Sequence, residues 1–261
     1  MAELLFWPAL LAYGEAAAAY YGEARHPGRL GRAATWGVRI GWLLQTALLI
    51  VQAVSADGFP WGSWAGSLNL FVWLVVGIYL VWGCNTRFRL LGLAVLPLAA
   101  ALFALAYAAG GTSSDATTGL PNAFLVLHVG LVLAAFAGFT LAAALSALYL
   151  WQERRLKRRE PGILRVTIPS LASLDELAAK TILVALPALS LGIAVGLLRL
   201  RSHGGSVDAL MVATLLTWAV YAAFVVLRWG LEWRGRRAAY LALVGFALVV
   251  CLQLGLATVH F

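Results

Sequence analysis

Long apolar stretches alternate with short polar connections along nearly the whole chain. Eight stretches are long enough to cross about 30 Å of hydrocarbon as helices that rise ~1.5 Å per residue. They lie at about residues 3–21, 36–54, 66–84, 88–109, 122–151, 178–198, 209–228 and 238–259. A helix satisfies its own backbone in lipid, and the pattern lacks the short alternating segments that are typical of a membrane barrel. The pattern therefore predicts an all-α, polytopic membrane helix bundle of about eight transmembrane helices, in a single transmembrane domain over residues 1–261.

Composition and charge agree with a membrane protein and predict its orientation. The chain is 62% hydrophobic and only 11% charged, and soluble domains carry about twice that charged fraction. Lys and Arg cluster in alternate connections, within residues 25–32, 87–89, 154–159 and 228–237. The positive-inside rule places these connections in the cytoplasm, and both termini outside the plasma membrane. The net charge of +8 then reflects topology, so we expect membrane lipid rather than nucleic acid as the partner of the basic surface.

The longest polar connection joins the fifth and sixth spans. It runs from Glu153 to about Asp175, and we expect a helix to begin at Ser173 with Asp175 and Glu176 in its first turn. The preceding stretch, 122–151, is longer than the bilayer requires. Its outer end should therefore project above the hydrocarbon, or the helix should tilt strongly.

Two histidines stand at the outer ends of the fifth and eighth spans. His128 lies 25 residues before Glu153 and His260 lies 23 residues after Arg237. Both imidazoles therefore stand roughly 35 to 38 Å above the same basic layer. Each is either an interfacial residue that hydrogen-bonds to a loop or an axial ligand of a haem iron. Their matching depth favours ligation, so His128 and His260 are the predicted metal ligands of one haem b, provided that spans five and eight are neighbours.

Basic and aromatic residues on the outer side extend this candidate site. Arg199 and Arg201 follow the sixth span and either pair with haem propionates or snorkel at a helix end. Trp61 and Trp64 either stack over a porphyrin or belong to the interfacial belt of aromatic residues. His203, in a loop that contains two glycines, is a weaker ligand candidate because a flexible loop positions an imidazole poorly.

Other polar residues are expected to be structural. His26 lies in a cytoplasmic connection, where we expect it to be solvated. Gln45, Gln52 and Gln253 lie inside spans and need partners, so we expect them to hydrogen-bond between helices.

Four motifs carry a resemblance to a known family, from about residue 36 to the end. They are Gly58-Phe59-Pro60 with Ser67, Leu68, Phe71 and Trp73; His128-Val129; Leu-Asp-Glu-Leu at 174–177; and Trp-Arg-Gly-Arg-Arg-Ala-Ala at 233–239 before a last span that ends in His. With these motifs the chain resembles the cytochrome c assembly family of haem-handling membrane proteins, and in it the branch similar to CcsA and HemX. In CcsA-like members two outer histidines flank a Trp-rich loop and ligate haem, and the resemblance implies these roles for His128 and His260.

The Trp-rich signature of the CcsA-like members is mostly missing from this chain. It would fall within residues 202–218, where Asp208, Thr217 and Trp218 match, and this match makes Asp208 a candidate cofactor-binding residue. The chain is therefore more similar to the HemX-like branch. The resemblance implies a haem-binding protein of cytochrome c biogenesis, acting beside other maturation components, rather than an enzyme that attaches haem.

Two other functions stay open from the sequence. A HemX-type regulator of tetrapyrrole synthesis would contact a cytoplasmic haem-biosynthesis enzyme through its basic surface. A quinone-linked membrane oxidoreductase would need a second redox centre or an acidic proton path, and inside the spans, away from their ends, only Glu15 offers an acidic group.

Overall fold

Eight α-helices make up the regular structure of the described residues. The computed structural model describes residues 2–25, 30–56, 60–83, 89–112, 123–158, 169–203 and 209–259. The helices are α1 (Ala2–Arg25), α2 (Leu30–Ser55), α3 (Trp64–Gly83), α4 (Arg89–Ala108), α5 (Ala123–Lys157), α6 (Leu171–His203), α7 (Ala209–Gly230) and α8 (Arg236–Val259). Within these ranges no strand occurs, and the predicted all-α class is confirmed.

Six of these helices, α2 to α7, are long and apolar enough to cross a membrane over their described residues. The chain is thus a multi-pass membrane protein. In α1, Glu15 and many small residues lower the hydropathy, and the described side chains of α8 end at Cys251. For these two helices the predicted span stays a prediction.

The helices form two compact units, α1 to α4 and α5 to α8. In the first unit α1 packs against α2 and α4, and α3 packs against α4 and α2. In the second unit α5 packs against α6 and α8, while α7 packs against α8 and α6. The prediction of a single transmembrane domain stays a prediction.

Buried polar side chains connect the helices of the first unit. The Tyr13 hydroxyl donates to Gln45 Oε1 at 2.7 Å, and Gln45 Nε2 donates to Asn69 Oδ1 at 2.9 Å. Asn69 Nδ2 donates to Gln52 Oε1 at 3.1 Å, and Gln52 Nε2 donates to the carbonyl of Gly111 at 3.0 Å. A polar group left without a partner in the membrane would cost several kcal/mol, so these bonds specify how the helices pair. The interhelical bonding predicted for Gln45 and Gln52 is confirmed.

The Gly111 carbonyl reaches this network because of how α4 ends. Gly110 adopts a positive φ of 82°, and the amides of Gly110 and Gly111 donate to the carbonyls of Tyr107 and Ala106 at 2.9 and 2.7 Å. This is the Schellman ending that favours glycine. A Cβ at Gly111 would stand 2.3 Å from the carbonyl oxygen of Ala65, so a side chain has no room there. Gln253, the third predicted interhelical amide, has its side chain outside the described residues.

Two aromatic rings connect three helices in the second unit. Phe139 of α5 and Tyr221 of α7 stack with centroids 3.7 Å apart and planes 7° apart. The Tyr221 hydroxyl donates to the carbonyl of Ala242 in α8 at 3.2 Å, and a Cβ at Gly245 would stand 2.6 Å from the same ring. Stacking and ring burial thus bring α5, α7 and α8 together.

Helix α6 is longer at both ends than its apolar stretch. The predicted start at Ser173 is wrong, because Ser170 caps the helix by accepting the Ser173 amide at 3.2 Å and the helix begins at Leu171. The predicted loop for His203 is also wrong, because the helix continues to that residue. Leu and Arg are good helix formers, and the helix-breaking glycines begin only at Gly204.

Candidate functional site

His128 is the predicted site residue whose surroundings the structure describes most fully. It is half-buried on α5, and its Nδ1 lies 2.7 Å from the carbonyl oxygen of Gly192 in α6. A carbonyl only accepts hydrogen bonds, so this contact places the ring proton on Nδ1. In a neutral ring, Nε2 then keeps the lone pair with which a histidine binds a metal. A backbone carbonyl on the other ring nitrogen is also a common partner of metal-binding histidines.

Two glycines of α6 let this helix pack closely against α5 around the His128 ring. A Cβ at Gly196 would stand 2.7 Å from Cε1 and 3.0 Å from Nδ1 of His128. A Cβ at Gly192 would stand 2.9 Å from Cγ2 of Val132, one turn further along α5. Gly192 and Gly196 are four residues apart, on one face of α6, and such pairs let membrane helices approach closely. Ring position and tautomer therefore depend on the close packing of α5 against α6.

Helices α5 and α8 are neighbours, as haem ligation by His128 and His260 requires. The two helices pack together, and near their basic ends a Cβ at Gly235 would stand 2.8 Å from the Tyr149 hydroxyl oxygen. The last described helical residue of α8 is Val259. His260 lies outside the described residues, so its predicted role stays a prediction.

The structure describes the remaining predicted site residues only in part. Arg199 and Arg201 lie in the last turns of α6, and their side chains are outside the described part of the chain. Asp208 lies outside the described residues altogether. Trp61 and Trp64 are half-buried before and at the start of α3, in the first unit, whereas His128 belongs to the second. Their predicted contact with a cofactor stays a prediction.

Two serines stabilise the turn before α3, which carries Trp61 and Trp64. Ser63 Oγ accepts the amide of Gly66 at 3.0 Å, and Ser67 Oγ donates to the Trp61 carbonyl at 2.7 Å. A serine that accepts an amide three residues later is an N-cap. These contacts fix the turn that carries both indole rings.

A second polar site lies at the opposite, basic end of the second unit. The Asp175 carboxylate accepts hydrogen bonds from both terminal nitrogens of Arg228, at 3.2 and 2.9 Å, and from the Gly235 amide at 3.0 Å. The Asp175 and Arg228 side chains are only 14% and 11% exposed. Two-point pairing of arginine with carboxylate is geometrically specific, so Asp175 ties α6 to the turn between α7 and α8.

Sequence reasoning missed Gly192, Gly196 and Arg228. The two glycines have a sequence signal, Gly-Ile-Ala-Val-Gly, which is the G-x-x-x-G pattern of close helix packing. Arg228 was interpreted only as a topology signal, because nothing local to it shows that its partner lies 53 residues earlier.

Comparison with known proteins identifies similar sequences over most of the chain. A family model described as "Cytochrome C assembly protein" matches residues 61–260. The chain is similar to a protein named "Protein HemX" from Brevibacillus brevis, at 27% identity over 226 residues, which covers 84% of this chain and 82% of that protein. It is also similar to "Cytochrome c biogenesis protein CcsA" of Gloeothece citriformis, at 26% identity over 272 aligned positions and 85% of this chain and 83% of the other. The CcsA protein of Guillardia theta is 28% identical over 236 positions, covering 80% of this chain and 77% of its own length.

Proposed function

The chain belongs to the cytochrome c assembly family, and we propose that within it this protein binds one haem b near the outer membrane face, between His128 and His260. The observation that carries the proposal is the hydrogen bond from His128 Nδ1 to the Gly192 carbonyl, at 2.7 Å. In a neutral ring it selects the tautomer that carries its proton on Nδ1, in which Nε2 can bind iron. His128 and His260 would hold the haem iron, and the bound haem would supply the redox-active iron.

Helix lengths support His260 as the second ligand. Tyr149 of α5 and Gly235 before α8 stand side by side, and 21 residues separate Tyr149 from His128. On α8, 24 residues separate Gly235 from Val259. At ~1.5 Å per residue these distances are about 32 and 36 Å, so His260 would arrive within about one helical turn of the level of His128.

Arg199 and Arg201 suit the propionates in this proposal. Both belong to the part of α6 that follows Gly196, against which the His128 ring packs. Arginine pairs with carboxylates through two parallel hydrogen bonds, so this end of α6 would bind the acidic edge of haem while α5 and α8 supply the iron ligands.

Variants of the histidines test the ligation. His128→Ala and His260→Ala should each lower the haem to protein ratio of the purified protein by roughly tenfold or more, because changes even in the residues that orient a metal ligand cost 10- to 100-fold. His26→Ala, in a basic connection, is the matched control and should keep the wild-type ratio. Bound haem is quantified by its pyridine haemochrome, and low-spin ferric EPR reports six-coordinate iron.

Imidazole rescue separates lost ligation from misfolding. His128→Gly leaves space for free imidazole, which should restore the low-spin spectrum if the histidine is a ligand. If His128→Ala and His260→Ala both keep the wild-type Soret band and EPR signal, the ligand assignment is wrong.

We further propose that the protein carries or holds haem and does not attach it to an apocytochrome. The stretch at 202–218 lacks most of the Trp-rich signature of the CcsA-like members. Expression of this chain alone with a CxxCH-containing apocytochrome, in a host without other maturation proteins, should therefore give no covalent haem by haem-stained denaturing gel. The same host with a complete maturation system is the positive control, and covalent haem from this chain alone would contradict the proposal.

A further inference from the structure

A cleft of about 750 Å³ opens at the basic end of the second unit. It lies where α5 ends, where α6 begins and where α7 turns into α8. Its lining includes Leu171 and Ala172 in the first turn of α6, Lys180 two turns later, and Trp229 and Arg234 from the α7–α8 region. The cleft is far from the haem ligands proposed above, because His128 stands near the other end of α5.

The cleft favours an anion although two acidic residues line it. Asp175 is already satisfied by Arg228 and by the Gly235 amide. Glu176 pairs with Lys180 at 2.7 Å, but both side chains are more than 60% exposed, so that pair is weak and Lys180 can change partner easily.

Two positive features remain available to a ligand. Arg234 is exposed on the wall of the cleft, and the amino-terminal turn of α6 contributes the positive end of the helix dipole. With Lys180 and Arg228, the lining carries three cations against the two carboxylates of Asp175 and Glu176.

Apolar side chains continue from the cleft along both of its helices. Val184 lies one turn beyond Lys180 on the same face of α6 and is 73% exposed. Val226 lies one turn before Trp229 on α7 and is 67% exposed. Since α6 leads away from the cleft and α7 leads towards it, both valines lie deeper in the membrane than the cleft. Trp229 itself is 55% exposed, which suits the headgroup level of a bilayer.

We propose that this cleft binds an anionic phospholipid, with its phosphate between Lys180 and Arg234 and its acyl chains over Val184 and Val226. Basic pockets between membrane helices bind such headgroups, and the adjoining apolar faces distinguish a lipid from a free phosphate ester. The ligand would tie the start of α6 to the α7–α8 turn at the surface of the bilayer.

The test counts bound lipid by native mass spectrometry. Protein in mild detergent is mixed with phosphatidylglycerol, or with phosphatidylcholine as the neutral control. We expect the wild type to retain phosphatidylglycerol in preference to phosphatidylcholine. The double variant Lys180→Gln/Arg234→Gln should bind phosphatidylglycerol about tenfold more weakly, because each basic residue near an anionic lipid contributes several-fold to binding.

The matched control removes the same charge from the same end of the unit. Arg155→Gln/Arg158→Gln changes two cations at the end of α5 that do not belong to the lining of this cleft, and it should keep the wild-type affinity. The conservative Lys180→Arg/Arg234→Lys should also keep it. If the glutamine double variant does not fold, as judged by circular dichroism and gel filtration, Arg234→Gln alone, at an exposed position, carries the test.

Three results would overturn the site. Equal losses in the cleft variant and the α5 control would mean diffuse attraction to the whole basic surface. If the wild type retained phosphatidylcholine as well as phosphatidylglycerol, the cleft would not recognise the charge of the headgroup. Displacement of phosphatidylglycerol by an equal concentration of glycerol phosphate would mean that the cleft takes a free phosphate ester and not a lipid.

Discussion

Gly196 fixes the position of the His128 ring because it has no side chain. A methyl group at this position would stand 2.7 Å from Cε1 of the ring, and the ring is held by a hydrogen bond of 2.7 Å to Gly192. The imidazole would have to move by several tenths of an ångström, which would lengthen or misalign that bond. Glycine is therefore needed here for space rather than for a special backbone conformation.

Gly196→Ala should weaken haem retention by roughly 10- to 100-fold and shift the g values of the low-spin ferric signal, because it displaces the His128 ring from the Gly192 carbonyl that orients it. Haem titration followed by absorbance, and EPR of the loaded protein, measure the two effects. Gly130→Ala is the matched control, since a Cβ at Gly130, two residues from His128 on α5, would meet no atom within 4 Å. An unchanged affinity and EPR signal in Gly196→Ala would show that the close packing does not position a ligand.

At the scale of the element, α6 shows why apolar length and helix length differ. Hydropathy locates the part that crosses lipid, at about 178–198, but the helix runs from Leu171 to His203. Its start is capped by Ser170, and Asp175, one turn further along, pairs with Arg228. Caps and ion pairs act in the interfacial region, where water and headgroups also satisfy polar groups, so the hydrophobic pattern does not report them.

Helix α5 shows the opposite case, in which the apolar pattern alone gives nearly the right bounds. The predicted stretch of 122–151 lies within the helix Ala123–Lys157 except for its first residue, and the extra turns are the basic run of the following connection. At 35 residues the helix is longer than a bilayer requires, as predicted. The same helix carries His128 near one end and, 21 residues later, Tyr149 beside the cleft.

For the whole molecule, the alternation of basic connections predicts that the ends of α5 and α8 that carry His128 and His260 face outwards. Fusions of alkaline phosphatase after Arg159 should be inactive and fusions after Gly204 should be active, because the enzyme folds only outside the cytoplasm. Green fluorescent protein fusions at the same two positions should give the reverse pattern. Phosphatase activity after Arg159 would invert the topology and move the proposed haem site to the cytoplasmic side.

The sequence by itself determined the all-α fold class and the eight helices found among the described residues. These follow from one-dimensional rules, because lipid requires each spanning segment to satisfy its own backbone and to be apolar over a fixed length. The same rules put His128 at a helix end and drew attention to Gln45 and Gln52 as polar groups in need of partners.

Only the tertiary structure decided which groups meet. The carbonyl that orients His128 lies 64 residues away, and the arginine that pairs with Asp175 lies 53 residues away. Such contacts depend on which helix faces pack together and at what register. Between helices in lipid that choice is made by small differences in shape and hydrogen bonding rather than by hydrophobicity, since lipid tails are as apolar as the side chains. The hydrophobic pattern therefore predicts that a helix crosses the membrane, but the packing of Gly192 and Gly196 against α5 decides which atom of His128 is available to a ligand.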